Sequence, residues 1–170
     1  MCLKWISKSK SKGALRKVNL SANWSPPPAT TYKWNTDASL DPINHQSAIG
    51  GVLRNDQGNF LCVFSSPIPP MEINSAEVYA IFRAVKISLS NPRISSCSII
   101  LESDSFNAVK WCNSNQGGPW NLDFMLNFIR NSIHSKLKAK IIHKHRESNA
   151  VADVLAKQGL RRENEFLAWM

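Results

Sequence analysis

The sequence predicts one α/β domain: a five-stranded mixed sheet, its first three strands an antiparallel meander, with helices on both faces. Three observations carry this prediction. Between Thr31 and Pro67, three β-rich segments follow one another with only turn signals between them. Beyond Pro67, Pro69 and Pro70, helical spacing alternates with short β-branched runs, the pattern of helices laid on a sheet that includes parallel strands. The 170 residues, 43% of them apolar, suit one domain with a core of its own.

Residues 1–30 read as a basic, Pro-rich leader or linker, poorly ordered, ahead of a domain spanning residues 31–162, with residues 163–170 as a tail. Lys4, Lys8, Lys10, Lys12, Arg16 and Lys17 come with no acid among them, and Ser25-Pro-Pro-Pro28 stiffens the chain just ahead of the domain. The composition resembles a transit peptide, but Arg is sparse and no amphipathic repeat is present, which favours an interdomain linker. The chain is then expected as a single monomeric domain, or as part of a longer polyprotein or multidomain chain.

The first strand covers residues 31–38 and ends at Asp37. Ala48 to Arg54, opened by Gly50-Gly51, is the second; Asn55-Asp-Gln-Gly58 is a tight turn; Asn59 to Pro67 is the third. Asn74 opens a helix, with Asn74 as N-cap and Glu77 at the third position in the form of a capping box. Val78, Ile81, Phe82, Val85 and Leu89 recur at helical spacing, and Asn91-Pro92 ends the run. Cys97 to Leu101 is an interior strand. Ser103-Asp104-Ser105 supplies the N-cap of a helix running through Trp111, and Gln116-Gly-Gly-Pro119 breaks the chain. Leu122 to Leu137 is an amphipathic helix, Lys140 to His145 a strand, and Ser148 caps a last helix holding Val151, Val154, Leu155 and Leu160. The order is β-β-β-α-β-α-α-β-α.

Charge narrows the partners. The net +9 is uneven: residues 1–17 account for +6, while residues 31–160 hold 13 basic and 10 acidic residues. Within the domain, Arg130, Lys136, Lys138, Lys140, Lys144 and Arg146 follow one another with no intervening acid before Glu147. Such a stripe tracks phosphates, or is simply a solvated helix face followed by a charged edge strand. No apolar run approaches the ~20 residues of a membrane-spanning helix. The four cysteines (Cys2, Cys62, Cys97, Cys112) form no C-x-x-C pair, which argues against a zinc ribbon. A nuclear or cytoplasmic compartment is favoured over an organelle.

Acids are scarce, and four of them stand in recognisable settings: Asp37, Glu77, Asp104 and Asp153. Asp37 and Asp104 fall at the carboxyl ends of strands, where sites gather in open α/β sheets. Each has a purely structural alternative: a strand-end turn for Asp37, a capping box for Glu77, an N-cap for Asp104, a favourable helix-dipole position for Asp153. If the four converge, they repel by about 4 kcal/mol per pair at 4 Å in an effective dielectric near 20. They then stay ionised only with cations between them, and two Mg²⁺ would balance four such charges.

In this order the segments resemble the type 1 ribonuclease H domain, most nearly the plant ribonuclease H-like domains associated with reverse-transcriptase retroelements. The likeness is carried by Trp34-Asn-Thr-Asp37-Ala-Ser39, Gly50-Gly-Val-Leu-Arg-Asn55 with Gly58, Ser75-Ala-Glu77 with Ala80, Leu101-Glu-Ser-Asp-Ser105, and His143-Lys-His-Arg-Glu-Ser-Asn149 leading into Ala152-Asp153-Val-Leu-Ala156-Lys157. The resemblance implies cleavage of the RNA strand in an RNA–DNA hybrid by two metal ions, Mg²⁺ or alternatively Mn²⁺, held by Asp37, Glu77, Asp104 and Asp153. It implies a proton-handling role for His143, for which His145 competes, since an imidazole suits proton transfer near neutral pH. Ser39, Asn107, Asn149 and Arg146 are the candidates for substrate contacts, Asn149 also for ordering the loop ahead of the last helix. Two departures stand out. Ala38 follows the first Asp where the family often has Gly, and the stretch near Asn113–Gly118 holds no basic handle for gripping a hybrid. The alternative reading is a catalytically silent nucleic-acid-binding module derived from a retroelement. A 3′–5′ exonuclease would carry a first-strand D-x-E, and residue 39 is Ser. A protein-interaction module would need none of the four acids.

Overall fold

A computed structural model describes residues 23–170. The expectation for residues 1–22 lies outside the described residues. The sheet has six strands in the order β5-β4-β1-β2-β3-β6, rather than five. The strands are β1 (Thr31–Asp41), β2 (Gln46–Arg54), β3 (Phe60–Ile68), β4 (Ser98–Ser103), β5 (Lys138–His143) and β6 (Phe166–Trp169). The helices are α1 (Ile73–Ser90), α2 (Pro92–Ser95), α3 (Phe106–Asn113), α4 (Asp123–Ser135) and α5 (Ala150–Gly159). β1, β2 and β3 pair antiparallel, while β1 also pairs parallel with β4, and β4 with β5. β1 therefore belongs to both halves of the mixed sheet.

The sixth strand corrects the expected tail. Phe166 and Ala168 extend one face beside Ser65 and Val63, and a salt bridge joins Arg83 of α1 to Glu165. The amino-terminal side needs a similar correction. Residues 23–30 lie against the sheet: the Trp24 indole donates to Asn35 Oδ1 at 3.0 Å, and Lys33 Nζ donates to the Ser25 carbonyl at 2.7 Å.

Strand alternation sends Trp34, Leu53, Phe64 and Leu101 to one face, where α1, α3 and α4 close the main core. The Trp34 indole, fully buried, satisfies its N–H on the Ser88 hydroxyl of α1 at 2.9 Å. On the opposite face Val52 and Val63 meet Val151 and Leu155 of α5. Helices thus cover both faces.

Several boundaries move, for local reasons. β1 does not end at Asp37 but runs on to Asp41, because β2 begins at Gln46 and pairs with it all the way. Its parallel pairing with β4 does stop at Thr36–Ser103, so Asp37 and Asp104 each follow the last paired residue of that parallel ladder. α1 is capped by Glu72, whose carboxylate accepts from the Asn74 and Ser75 N–H groups, so Glu77 is not part of a capping box. Ser105, not Asp104, caps α3. Ser148 does not cap α5; it closes a 3₁₀ turn at Arg146–Ser148, and Asn149 takes the N-cap position.

Candidate metal and nucleic-acid site

With those structural roles taken by Glu72 and Ser105, the carboxylates of Glu77 and Asp104 are left for something else. Asp37, Glu77 and Asp104 each bring a carboxylate oxygen into a group whose members all lie within 4.8 Å of one another. Three elements converge to do this. β1 carries Asp37, the second turn of α1 carries Glu77, and the β4–α3 junction carries Asp104. Glu77 crosses to β1 and is fixed there: its Oε1 accepts the Ala38 N–H at 3.2 Å, and its Oε2 lies 3.5 Å from the Ser103 hydroxyl. Ala38, 8% exposed, keeps this backbone approach open. Asp153, the fourth expected acid, stands outside the inner trio but lines the same cleft of about 370 Å³, and its side chain is bonded by Lys157 Nζ at 2.7 Å.

Burial dominates the electrostatics. Asp37 is pushed up to about 7, first by desolvation and then by the charge of Asp104, with its hydrogen bond to Glu77 pulling the other way. Glu77 is raised well above the usual carboxylate range, again by burial first and then by Asp37 and Asp104. Asp104 is raised by burial and partly relieved by Arg146. None of the three forms an ion pair among the described residues. Largely buried, mutually repelling, all-oxygen donors without an ion-pair partner are the donor set that a hard divalent cation fits.

The other expected residues divide. Asn107 and Arg146 line the cleft. Ser39 lies two residues past Asp37 on β1 and is not among the lining residues. Asn149 is 2% exposed and gives its amide N–H to the Thr36 carbonyl at 2.8 Å, so it ties the loop before α5 to the strand that carries Asp37. His143 sits beside the site: its Nε2 is 3.1 Å from the Asp104 carbonyl, and its ring meets Phe106 edge-on. His145 packs its ring against that of His143 and lines a different hollow. The basic stripe also divides, because Arg130 spends its guanidinium on the Trp111 and Gly117 carbonyls.

Ile73, Asn74 and Phe106 line the cleft and are not expected at the site from the sequence, which marks Asn74 only as a helix cap. Asn74 had a signal: it precedes Glu77 by three, the spacing that puts two residues on one helix face.

A family model described as reverse transcriptase-like matches residues 35–159. Among solved structures, RNase H1 from the halophilic archaeon Halobacterium salinarum NRC-1 is similar over 77% of this chain and 98% of its own, at 21% identity and a TM-score of 0.67. LC11-RNase H1 in complex with an RNA/DNA hybrid is similar over 76% of this chain and 96% of its own, at 22% identity and a TM-score of 0.67. The protease-reverse transcriptase of prototype foamy virus matches 84% of this chain with 23% of its own length, at 22% identity and a TM-score of 0.61. Among curated proteins none matches the chain significantly. No helix among the described residues is long and apolar enough to cross a membrane.

Proposed function

Starting from a chain that belongs to the reverse transcriptase-like family and carries a type 1 ribonuclease H-like domain, we propose that it hydrolyses the RNA strand of RNA–DNA hybrids. The observation that supports this most is the trio Asp37, Glu77 and Asp104, the first two buried and the third half-buried, which offers three carboxylate oxygens within 4.8 Å of one another and forms no ion pair among the described residues. Those three, with Asp153 at the rim, would hold divalent ions, Mg²⁺ or Mn²⁺. What divalent ions would supply there is a lower pKa for a bound water and neutralisation of charge on the phosphate.

The chain's own groups do the rest. Ala38 N–H and the Ser103 hydroxyl hold the Glu77 carboxylate in place. Arg146 at the cleft wall offsets the negative field around Asp104 and draws an approaching phosphate. Asn107 offers its amide at the mouth for the sugar-phosphate backbone, beside Asn74, whose own amide donates to Glu72 and accepts from the Ser105 hydroxyl. His143 donates from Nε2 to the Asp104 carbonyl, which leaves Nδ1 to take and return a proton at the reacting phosphate. The domain would act as part of a longer chain, as its foamy-virus likeness does, and a retroelement origin accounts for that arrangement.

The test is a labelled hybrid incubated with purified protein, with Mg²⁺ omitted and then restored. Cutting of the RNA strand only with metal, abolished in a folded Asp37→Asn variant, is expected. A hybrid left intact by wild type and variant alike would overturn the hydrolytic reading. A second reading, a catalytically silent nucleic-acid-binding module, is favoured by one contact: Lys157 already occupies the Asp153 carboxylate. That module would bind hybrid with strong salt dependence and never cut it.

A further inference from the structure

We propose that the outer face of β5 is a second nucleic-acid contact, a lysine rail that holds the phosphates of one strand where it leaves the carboxylate cleft. This rests on the reading that the cleft takes nucleic acid, and it concerns a surface that the catalytic residues do not use.

β5 is an edge strand, and its register with β4 sets Lys138 beside Ser98, Lys140 beside Ile100 and Ile142 beside Glu102. These residues share the face on which α5 packs against β1, β2 and β3 only. Over β1 that face is covered by residues 23–30, through Trp24 on Asn35 and Lys33 on Ser25. Among the described residues no helix covers the remainder, between this segment and the β5 edge. Two hollows lie there. One, about 500 Å³, opens at the start of β4 and β5, with Ser98, Ile100, Lys138 and Lys140 on this side and Ile133 of α4 and Leu137 closing its apolar floor. The other, about 260 Å³, is bounded by Asn23, Ser25, Glu102, Lys144 and His145. Ile100 and Glu102 are alternate residues of one strand, about 7 Å apart, so the hollows form a row along β4.

The charge of the row is positive. Lys138, Lys140 and Lys144 are all exposed. The carboxylate of Glu102 is already matched by Lys33 Nζ at 2.8 Å. Glu147, at the far end, accepts from Asn23 at 3.4 Å. Among the described residues no Phe, Tyr or Trp lines either hollow; the floor of the first is aliphatic, and the lysines beside both offer cations for a phosphate backbone without a ring on which a base could stack. Continuity selects nucleic acid over another polyanion. The Lys144 N–H is bonded to the Ser103 carbonyl, next to Asp104, and Arg146, two residues on, already lines the cleft. A strand held at Arg146 and continuing past His145 meets Lys144, then Lys140, then Lys138.

The test compares wild type with Lys138→Gln/Lys140→Gln/Lys144→Gln, all surface positions, with folding checked by thermal melting. Binding is measured across a salt series on a short blunt hybrid and on the same hybrid with a single-stranded extension of ~10 nucleotides at either end. Wild type is expected to bind one extended probe about 10-fold more tightly than the blunt one. The variant should lose that advantage and show a log K against log salt slope shallower by about 2. Its affinity for the blunt hybrid should stay unchanged. A variant that keeps the advantage overturns the rail, as does wild type showing none, or poly-glutamate competing as well as an oligonucleotide of equal charge. If extension-dependent binding is lost in the variant while neither protein cuts hybrid, the rail stands and the hydrolytic reading alone falls.

Discussion

Gly50 stands directly across the β1–β2 ladder from Asp37, and its lack of a side chain is what lets α5 seat beside the acid. A Cβ built on Gly50 would lie 2.3 Å from the Ala156 nitrogen and 2.6 Å from the Leu155 carbonyl carbon, both backbone atoms that cannot swing away. Ser65, opposite Gly50 on β3, donates its hydroxyl to the Leu155 carbonyl at 2.6 Å and fixes the same turn of the helix. The close seat of α5 carries Asp153, less than one turn earlier, to the rim of the cleft that Asp37 floors.

Gly50→Ala should therefore act on stability and on the site together. The overpacked contact is expected to cost on the order of 1–3 kcal/mol in urea denaturation. Mg²⁺ affinity, followed by calorimetry, should fall as Asp153 is displaced. An unchanged denaturation midpoint would mean that α5 is not seated as tightly as the backbone distances require.

Charge repulsion among the acids predicts an unusual pH profile for the metal-free protein. A carboxyl whose pKa rises on folding binds more protons folded than unfolded, so its contribution to stability declines as pH climbs. For Asp37 that decline runs from the ordinary 3.8 to about 7. Fully expressed, it amounts to roughly 4 kcal/mol at neutral pH, an upper bound shared with Glu77 and Asp104. Thermal melts in EDTA should show the melting temperature falling between pH 4 and pH 7. Asp37→Asn should flatten the fall and be more stable than wild type at pH 7. Added Mg²⁺ should raise the wild-type melting temperature more than the variant's. A flat wild-type profile in EDTA would contradict the buried-acid electrostatics.

Beneath Trp24, Lys33 and Glu102 form an ion pair at 2.8 Å with side chains 4% and 2% exposed, and Asn35 donates to the same carboxylate at 2.9 Å. Glu102→Gln leaves the buried Lys33 charge unmatched, and a loss of about 3–5 kcal/mol is expected by chemical denaturation. Screening barely reaches a pair this deep, so the loss should be the same in low and high salt. A substitution tolerated within about 1 kcal/mol would show that Lys33 finds another partner.

The two loop histidines should separate in kinetics. His143 contacts the Asp104 carbonyl, while His145 faces the hollow on the β5 side. His143→Ala is expected to lower kcat for hybrid cleavage roughly a hundredfold, with little change in KM. His145→Ala should leave kcat near wild type. Equal kcat losses in the two variants would count against a distinct role for His143.

Which parts of this were legible in the chain depended on how local their causes are. Asp37 and Asp104 stood out because each follows a strand-forming run, and the parallel β1–β4 ladder does stop just before both. Glu77 was legible through the family resemblance, while its local alternative, a capping box, fails because Glu72 caps the helix and Glu77 instead reaches across space to the Ala38 N–H. β6 went unread because four residues, Phe166–Trp169, carry little pattern of their own, and their partner β3 lies about a hundred residues earlier. The docking of Trp24 was hidden by the three prolines that follow it, a composition that resembles a free linker.

The order of the main strands and helices and the family likeness were readable from the chain, as were four acids in recognisable settings. Periodicity, turn residues and short motifs all act between near neighbours, and one chain displays those directly. Tertiary structure alone decided that Asp37, Glu77 and Asp104 form an inner trio with Asp153 at its rim. It also decided that His143 contacts the Asp104 carbonyl, and that three lysines of the basic stripe lie along the part of a sheet face that α5 leaves uncovered. The physical reason is that these relations depend on strand register and on how closely a helix can approach, as at Gly50. Such quantities are set by contacts between segments far apart in the chain.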